Sequence, residues 1–255
     1  EGTGCVHTAP GHGQEDFMTG AKYGLDVIMP VDEKGRFDQS VSEFSGQHVF
    51  MANENIINKL KSLGLLRLAT KVEHTYPHCW RCKSPIIFRA TQQWFLKIDE
   101  NDLRKKLLKA IKNDVKWIPP SGEERISSMV ENRPDWCLSR QRYWGVPIPA
   151  VICKKCKYQI LDVRVIRNLA KRVLTEGTNV WFTADIKDFL PTDLKCECGS
   201  VDFERSTDIL DVWFDSGVSH QAVLKGNKEL KLPADLYLEG SDQHRGWFQT
   251  SLISS

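Results

Sequence analysis

The sequence carries almost no excess of charge of either sign. Its 255 residues include 35 Lys and Arg against 33 Asp and Glu, which leaves a formal net charge of +2. A balance this even does not by itself indicate a nucleic-acid-binding protein, because such proteins are usually recognised by a strong basic excess. The class of partner must therefore be inferred from motifs and not from charge.

Long apolar runs are also missing. No apolar stretch reaches the roughly 20 residues that span a bilayer as a helix, and no charged-then-apolar signal stands near the N-terminus. The sequence begins at Glu1 without a methionine and ends at Ser255 within an expected helix, so we expect an internal fragment of a longer protein. Its length suits one large domain or two to three smaller ones.

Cysteine is plentiful, and six of the eight cysteines fall in close pairs. Without a secretion signal, such pairs indicate metal ligands and not disulfides. Two of the pairs together supply four thiolates, the ligand set that zinc prefers in a closed structural site. The four residues are Cys153, Cys156, Cys196 and Cys198. We expect zinc there to stabilise a small insertion that has little core of its own.

The pair Cys79 and Cys82 is half of a second site. His74 and His78 lie close enough in sequence to complete it, or a further pair lies outside this sequence. A lone CxxC is weak evidence for zinc, and a redox function is the competing interpretation. The unpaired Cys5 and Cys137 are expected to be small buried residues.

Hydrophobic periodicity predicts three helices, at residues 51–63, around Leu103, Leu107 and Ile111, and at 163–176. The first forty residues, rich in Gly, Pro and short apolar runs, favour strands and loops, and residues 71–96 also resemble strands.

Two short apolar runs, at residues 209–214 and 236–238, lead directly into polar turns that contain glycine. This is the layout of an open α/β sheet, whose ligands bind beyond the carboxyl ends of the strands. Trp213 and Trp247 would then face one apolar slot suited to a branched aliphatic side chain. Plain core packing is the alternative for each tryptophan.

Five stretches together resemble the isoleucyl-tRNA synthetases of bacterial or organellar type. They are GTGCVHTAPGHGQEDF, HTYPHCWRCKSPIIFRAT, NRPDWCLSRQRYWGVPIP, DILDVWFDSG and YLEGSDQHRGWF, and they cover almost the whole sequence in the family's order. The SRQRYWG stretch is similar in the valyl and leucyl relatives. The combination of DVWFDSG with EGSDQHRGWF points to isoleucine.

The resemblance implies an α/β fold: part of a Rossmann-like class I catalytic domain, part of an inserted β-barrel editing domain, and a small zinc-binding insertion. The implied divisions are 1–78 for the end of the editing domain, 79–150 for a return segment, 151–207 for the zinc insertion and 208–255 for the second half of the catalytic domain. The family's HIGH and KMSKS signatures are absent from these residues and are expected before Glu1 and after Ser255. This fragment alone is therefore not expected to activate an amino acid.

The resemblance also implies the activity of an isoleucine–tRNA ligase, which joins isoleucine to ATP, with Mg²⁺, as an enzyme-bound adenylate and then transfers it to tRNA(Ile). Trp213 and Trp247 would shape the isoleucine pocket. The residues implied to line the aminoacyl-adenylate site are Glu239, Gly240, Asp242 and Gln243. Of these, Glu239 would bind the ammonium group or ribose hydroxyls, and Gly240 would let a ligand approach the backbone.

A second, hydrolytic site is expected as well. An apolar pocket separates isoleucine from valine by one methylene, worth about 1–3 kcal/mol, a limit for which isoleucyl-tRNA synthetases are the standard example. By resemblance, Asp16 would hold the α-ammonium group of a wrongly attached amino acid, and His7 would position the ester or its attacking water. His12 is a weaker candidate, and a loop histidine bonded to backbone is the alternative for His7.

The implied partners are tRNA(Ile), isoleucine and ATP, with no membrane, for a monomeric full-length protein. A cytoplasmic location is expected, with mitochondrial or other organellar locations left open. Arg140, Gln141 and Arg142 are candidates for contact with tRNA phosphates. The basic face of the second helix, formed by Arg104, Lys105, Lys109 and Lys112, is a further candidate, with a solvated face as an equal alternative. A zinc-ribbon RNA-binding module without enzymatic activity, a valyl-type synthetase and a stand-alone editing hydrolase are the rival functions.

Overall fold

Residues 3–255 are described by the computed structural model, and they divide between two units at the bond that joins Gln92 to Gln93. The four divisions expected from the family resemblance are finer than this and remain predictions. Among the helices of residues 3–255, none has the length and apolar character needed to cross a bilayer.

Eight α-helices and seven short strands are found in this part of the chain. The helices are α1 Gln14–Tyr23, α2 Val49–Ser62, α3 Leu103–Asn113, α4 Ser121–Glu131, α5 Val163–Glu176, α6 Val180–Thr183, α7 Val212–Gly217 and α8 Trp247–Ser254. The strands are β1 Phe95–Leu96, β2 Trp136–Cys137, β3 Ser139–Arg140, β4 Val151–Cys153, β5 Gln159–Ile160, β6 Phe203–Arg205 and β7 Ile209–Leu210.

The first unit is built around α1 and α2. The expectation of strands and loops in the first forty residues is wrong at α1, where Glu15 and Asp16 lie in the first turn and Gly24 ends the helix in the left-handed region at φ 66°. Acidic side chains stabilise the positive end of the helix dipole, and glycine ends helices without strain. The helix predicted at 51–63 is confirmed as α2.

Residues 71–96 form far less strand than their composition predicts. Within this segment, the described ladder consists of β1 and one isolated bridge between His78 and Pro85. A strand must pair its amide and carbonyl groups with a neighbour. β-Branched and aromatic composition alone does not supply that neighbour, so the prediction of extended strands is wrong here.

In the second unit, α3, α4 and α8 enclose an apolar core. Leu107 and Ile111 of α3 meet Ile126 and Val130 of α4, and Ile253 of α8 completes the cluster. The helix predicted around Leu103, Leu107 and Ile111 is therefore confirmed, since its apolar side faces this core.

Arg104 does not belong to the basic outer face of α3. Its guanidinium pairs with Asp99 at 2.7 Å and donates to the carbonyls of Val130, Glu131 and Arg133. The last carbonyls of a helix have no partner within the helix and carry partial negative charge, so a cation is stabilised there. The sequence-based placement of Arg104 is corrected accordingly, because this residue ties α3 to the end of α4.

An antiparallel arm, formed by residues 146–210, extends from this core. β7 pairs with β3, and on its other side the amide of Leu210 donates to the carbonyl of Val146 at 2.7 Å. The pairing continues through Ile148 and Asp208 to β4 and β6, with Cys153 opposite Phe203. β5 joins β4 on its other edge. The arm thus leads from the helical core to the cysteines predicted to bind metal.

The tip of the arm has an apolar core of its own. Val165 and Leu169 of α5 pack with the fully buried Trp181 and Phe189 against the β4–β6 pair. The indole nitrogen of Trp181 donates to the carbonyl of Ser206 at 2.9 Å. The expectation that this insertion has little core is therefore wrong.

The fold class is confirmed in its coarse form, as an α/β arrangement with small sheets. All ladders formed by residues 3–255 are antiparallel. Residues 236–238, predicted to be a strand end, are not in a strand, and the apolar run at 209–214 is a two-residue strand followed at once by α7. The Rossmann-like sheet and the β-barrel remain predictions.

Candidate amino-acid pocket and metal centre

The four cysteines at the tip of the arm come together. Their sulfur atoms all lie within 4.8 Å of one another, with Cys153 Sγ 3.6 Å from Cys198 Sγ and Cys156 Sγ 3.4 Å from Cys196 Sγ. Four sulfurs held at about 2.3 Å from a central Zn²⁺ in a tetrahedron lie about 3.8 Å apart. The one-residue gap between Cys196 and Cys198 is therefore compatible with a closed four-sulfur metal site.

The electrostatics of the cluster favour ionised sulfur at one position. The backbone amide of Cys156, together with that of Lys155, lowers the pKa of the Cys153 thiol to about 6. The amide of Cys198 also lowers the pKa of Cys196, but burial and hydrogen bonds with the neighbouring sulfurs outweigh it and raise this pKa to about 12. One thiolate thus accepts hydrogen bonds from its neighbours, and a cation is the group that would let all four ionise.

The other cysteines behave differently. Cys79 and Cys82 form a tight turn, in which the amide of Cys79 donates to the carbonyl of Ser84, and hydrogen bonds from Ser84 lower the pKa of Cys82. His74 and His78 bond through Nδ1 to nearby backbone carbonyls. Among residues 3–255, the group of three or more potential metal ligands that comes together is the four-cysteine cluster, and this pair is not part of it.

The expectation that the two unpaired cysteines are buried is wrong. Cys5 is exposed, and Cys137 is half-buried.

A cavity of about 380 Å³, called the tryptophan cavity below, lies beside the loop that contains the EGSDQHRGWF motif. Trp213, in the first turn of α7, and Trp247, in the first turn of α8, both line it. Glu239 and Gln243 add a carboxylate and an amide to the same lining. The structure therefore brings together four of the residues that the sequence assigned to one amino-acid site.

Trp247 is fixed by several contacts. Its indole nitrogen donates to the carbonyl of Ser216 at 2.7 Å and to the hydroxyl of Ser219 at 3.2 Å. The ring of Tyr237 lies against the indole with 4.3 Å between centroids, and its hydroxyl bonds to Ser219 and Ser251. This wall of the cavity is consequently rigid.

The remaining predicted residues lie on a short 3₁₀ turn, Ser241–His244. Gly240 precedes the turn in extended backbone, and Asp242 accepts a hydrogen bond from the amide group of Gln243 at 3.0 Å. Buried His244 anchors the turn, because it donates to the carbonyl of Ser241 and its ring lies between Trp117 and Phe248. A packed histidine thus orients a loop of exposed polar groups.

A second cavity, of about 660 Å³, is bordered by the SRQRYWG motif. Arg140 is engaged internally: it donates to the carbonyls of Cys137 and Ser139 and to the carboxylate of Asp211 at 2.9 Å. Arg142 is exposed on the cavity wall. Of these two arginines, Arg142 is thus the better placed for a phosphate.

Gln141 is exposed and donates to the side chains of Gln93 and Asp208. On α3, Lys105, Lys109 and Lys112 are exposed. These lysines form the basic outer face of the helix without Arg104.

The predicted editing residues lie in the first unit. Asp16, half-buried on α1, accepts a hydrogen bond from the amide of Ala9 at 3.0 Å. His7 is exposed two residues before that amide, so Asp16 holds the end of the loop on which His7 lies. His12 bonds through Nδ1 to the carbonyl of Phe88 at 3.1 Å.

Sequence reasoning missed Ser216, Ser219 and Tyr237, which line or support the tryptophan cavity. Ser216 was open to prediction, because it follows Trp213 by three residues and side chains at that spacing share a helix face. Tyr237 carried no such signal, because its contacts depend on how the segment before Gly240 folds against α8.

Comparison with known proteins agrees with these features. A family model described as tRNA synthetases class I (I, L, M and V) matches residues 22–255. The isoleucine–tRNA ligase of Petrotoga mobilis is 54% identical over 257 residues, which cover 100% of this chain and 28% of that protein. The isoleucine–tRNA ligase of Thermotoga maritima is 53% identical over 254 residues, with 99% of this chain and 28% of that protein covered. The chain thus spans little more than a quarter of these relatives, is similar to isoleucine–tRNA ligases throughout, and belongs to the class I tRNA synthetases.

Proposed function

We propose that this chain is the central part of an isoleucine–tRNA ligase. The full enzyme would activate isoleucine with ATP, transfer it to tRNA(Ile), and hydrolyse valine attached in error. The observation that carries the proposal is the cavity between Trp213 and Trp247 with Glu239 in its lining, in a chain that is 54% identical to a named isoleucine–tRNA ligase over its whole length.

The cavity suits a small branched amino acid. Two indole faces give an apolar slot that gains free energy by removing an aliphatic side chain from water. The carboxylate of Glu239 pairs with the ammonium group of the substrate, a charge-assisted contact that fixes its orientation. Gly240, which has no side chain, leaves the backbone open to the adenylate beside Asp242 and Gln243.

ATP would enter with Mg²⁺, which would offset the charge of the triphosphate. The isoleucine carboxylate would attack the α-phosphorus, and pyrophosphate would leave. The HIGH and KMSKS signatures of the family would lie elsewhere in the full-length protein. Residues 208–255 would then form the second half of a Rossmann-like domain, after a return segment at 79–150. The module at 151–207 would hold zinc through its four cysteines, a structural role.

Residues 1–78 would be the end of a β-barrel editing domain. Asp16 would bind the ammonium group of valine attached to tRNA, and His7 would position the ester or its attacking water. The hydrogen bond from Ala9 to Asp16 supports this assignment, because it ties the carboxylate to the loop that contains His7.

Transfer requires tRNA(Ile) to reach both sites. Arg142 and the lysines on the outer face of α3 are the side chains that would contact its phosphates. The family resemblance also implies a monomer that acts in the cytoplasm.

The decisive experiment is ATP–pyrophosphate exchange by the full-length enzyme with isoleucine, valine and leucine compared. We expect isoleucine to be preferred, with weaker exchange for valine. Strong preference for valine would assign the chain to a valyl-type enzyme, and the absence of exchange with all three would leave a binding or hydrolytic function.

Substitution of Glu239 separates a synthetase from an RNA-binding zinc module. Glu239→Ala should abolish most of the exchange, because the substrate ammonium loses its counter-charge. Glu229→Ala, on an exposed turn in the same unit, is the matched control and should leave the exchange unchanged. A module that only binds RNA would show no exchange before any substitution, and both substitutions would leave its RNA binding unchanged.

A further inference from the structure

Gly246 lies buried directly behind two side chains of the tryptophan cavity. A Cβ atom at this position would stand 2.5 Å from Oε1 of Gln243 and 2.9 Å from Cη2 of Trp213. Non-bonded carbon atoms are most stable about 3.5–4.0 Å apart. Even a methyl group at residue 246 must therefore displace both Gln243 and Trp213.

Neither neighbour can move without consequence. Oε1 of Gln243 accepts the hydrogen bond of the Trp247 amide at 3.0 Å in the first turn of α8, so its movement leaves that amide unpaired. The indole of Trp213 is rigid, and its backbone amide is held at 3.3 Å by the carboxylate of Asp211 at the start of α7. The ring must therefore swing as a whole about its side-chain bonds.

The second tryptophan of the cavity is held in place and does not make room for Trp213. Trp247 is held by Ser216, Ser219 and Tyr237. A displaced Trp213 consequently changes the shape of the cavity itself.

We propose that Gly246 is a specificity-determining residue for the amino acid: its lack of a side chain sets the position of Trp213 and thereby the space for a branched aliphatic group. This inference rests on the proposed function. Gly246 is a positioning residue, because it acts through Trp213 and Gln243 and does not line the cavity. Isoleucine exceeds valine by one methylene, so a reshaped cavity penalises isoleucine first.

The test is Gly246→Ala in the full-length enzyme, measured by ATP–pyrophosphate exchange with isoleucine and with valine. Through the shift of Gln243 we expect the KM of both substrates to rise. Through the shift of Trp213 we expect an additional loss for isoleucine alone, so that the ratio of kcat/KM for isoleucine over valine falls about tenfold, within the range that one methylene controls. An unchanged ratio in a folded variant overturns the proposal.

Gly226→Ala is the matched control. The nearest neighbour of a Cβ at residue 226 is the carbonyl oxygen of Ala222 at 3.5 Å, an ordinary contact. This variant should keep both the wild-type KM values and the wild-type ratio.

The same substitution made in a Trp213→Phe enzyme distinguishes an effect on the position of Trp213 from general damage to the fold. In an enzyme that carries Trp213→Phe, the distal indole atoms that meet the new methyl group are gone. There, Gly246→Ala should change isoleucine and valine by the same factor, because the effect on the ratio depends on the indole. If Gly246→Ala alone does not fold, recovery of folding in the double variant supports the proposal, and an unfolded double variant overturns it.

The wild-type measurement distinguishes the two proposals. A wild-type enzyme that does not exchange with isoleucine overturns the proposed function and this inference together. Normal isoleucine exchange with a ratio insensitive to Gly246→Ala overturns this inference alone.

Discussion

The carboxylate of Asp211 accepts a hydrogen bond from the indole nitrogen of Trp136 at 3.0 Å, and both residues are buried. The same carboxylate pairs with Arg140 at 2.9 Å and caps α7 through the amide of Trp213. One side chain therefore joins β2, β3 and the helix that contributes Trp213 to the candidate pocket. Because the acceptor is a carboxylate, each of these hydrogen bonds is stronger than the same bond to a neutral oxygen, and the three bonds form one connected network.

Replacing Asp211 by alanine should lower the free energy of unfolding by about 1–3 kcal/mol, because the buried indole N–H of Trp136 and the guanidinium of Arg140 lose their partner. Urea denaturation followed by tryptophan fluorescence measures this change. The matched control is Asp202→Ala, which breaks an exposed pair with Lys154 worth about 0–1 kcal/mol. Equal effects of the two substitutions would contradict the role assigned to Asp211.

Metal analysis tests the cysteine cluster. The purified protein should contain zinc at the four-cysteine site, and the double substitution Cys153→Ser and Cys196→Ser should remove it, because hydroxyl groups do not replace thiolates as zinc ligands. Cys5→Ser, at an exposed cysteine far from the cluster in sequence, should keep the metal. A folded protein without metal before any substitution would refute the zinc assignment.

Removal of that metal should have a local effect. Hydrogen exchange after chelation should rise at the two turns that hold the cysteines, while the amides around Trp181 and Phe189 stay protected by their apolar core. Exchange that rises equally throughout 151–207 would mean that the core depends on the metal.

Editing should depend on Asp16. In the full-length enzyme, Asp16→Ala should increase the amount of valine attached to tRNA(Ile), because the carboxylate proposed to bind the ammonium group is gone. Adenylate formation with isoleucine should be unchanged, since the residues proposed to bind the adenylate lie in the other unit. Glu15→Ala, on the same helix turn, is the control, and a variant of Asp16 that does not accumulate valyl-tRNA would exclude this residue from editing.

Ionisation of Asp215 should lower the free energy of unfolding as the pH rises, whereas most carboxylates stabilise the folded protein when they ionise. Burial, and then the nearby Asp211 carboxylate, raise the pKa of Asp215 above its ordinary value of 3.8. The charged form is thus disfavoured in the folded state, and the penalty is present above the folded pKa and vanishes as the pH falls towards the unfolded value. Asp215→Asn should therefore stabilise the protein at about pH 7 and lose this advantage at about pH 4.

Asp193 provides the control of opposite sign. Hydrogen bonds from Arg164 lower the pKa of this exposed carboxyl. Its contribution is present above the ordinary pKa of 3.8 and is lost as the pH falls through the folded value. Asp193→Asn should not stabilise the protein at about pH 7, and urea denaturation of both variants at the two pH values checks the contrast.

Local signals predicted α2, α3 and α5, but not α1, α4 or α6. The predicted bounds of α5 are those observed, because Asp162 caps its first turn and Gly177 ends it at φ 78°. Trp213 and Trp247 were also expected to face one slot, since the apolar runs at 209–214 and 236–238 each lead into a turn that contains glycine. These features depend on residues that are close in sequence, or on a motif whose own residues predict the turn that contains them.

Other features depend on partners that a linear pattern does not reveal. Residues 236–238 have strand composition, yet the described part of the chain gives them no ladder. Arg104 fits the basic pattern of α3, but its reach to the end of α4 depends on helix packing. The core around Trp181 was missed because its members come from five separate elements and loops.

The antiparallel arm has a consequence for how such a protein can evolve. Val146 and Leu210 are hydrogen-bonded neighbours at its base, although the whole arm and its cysteine tip lie between them in the chain. A short hairpin turn spans the gap between two paired residues. The intervening segment is therefore an insertion that could be lost, exchanged or enlarged in one genetic event during evolution. The chain before Val146 and after Leu210 would still connect through the helical core.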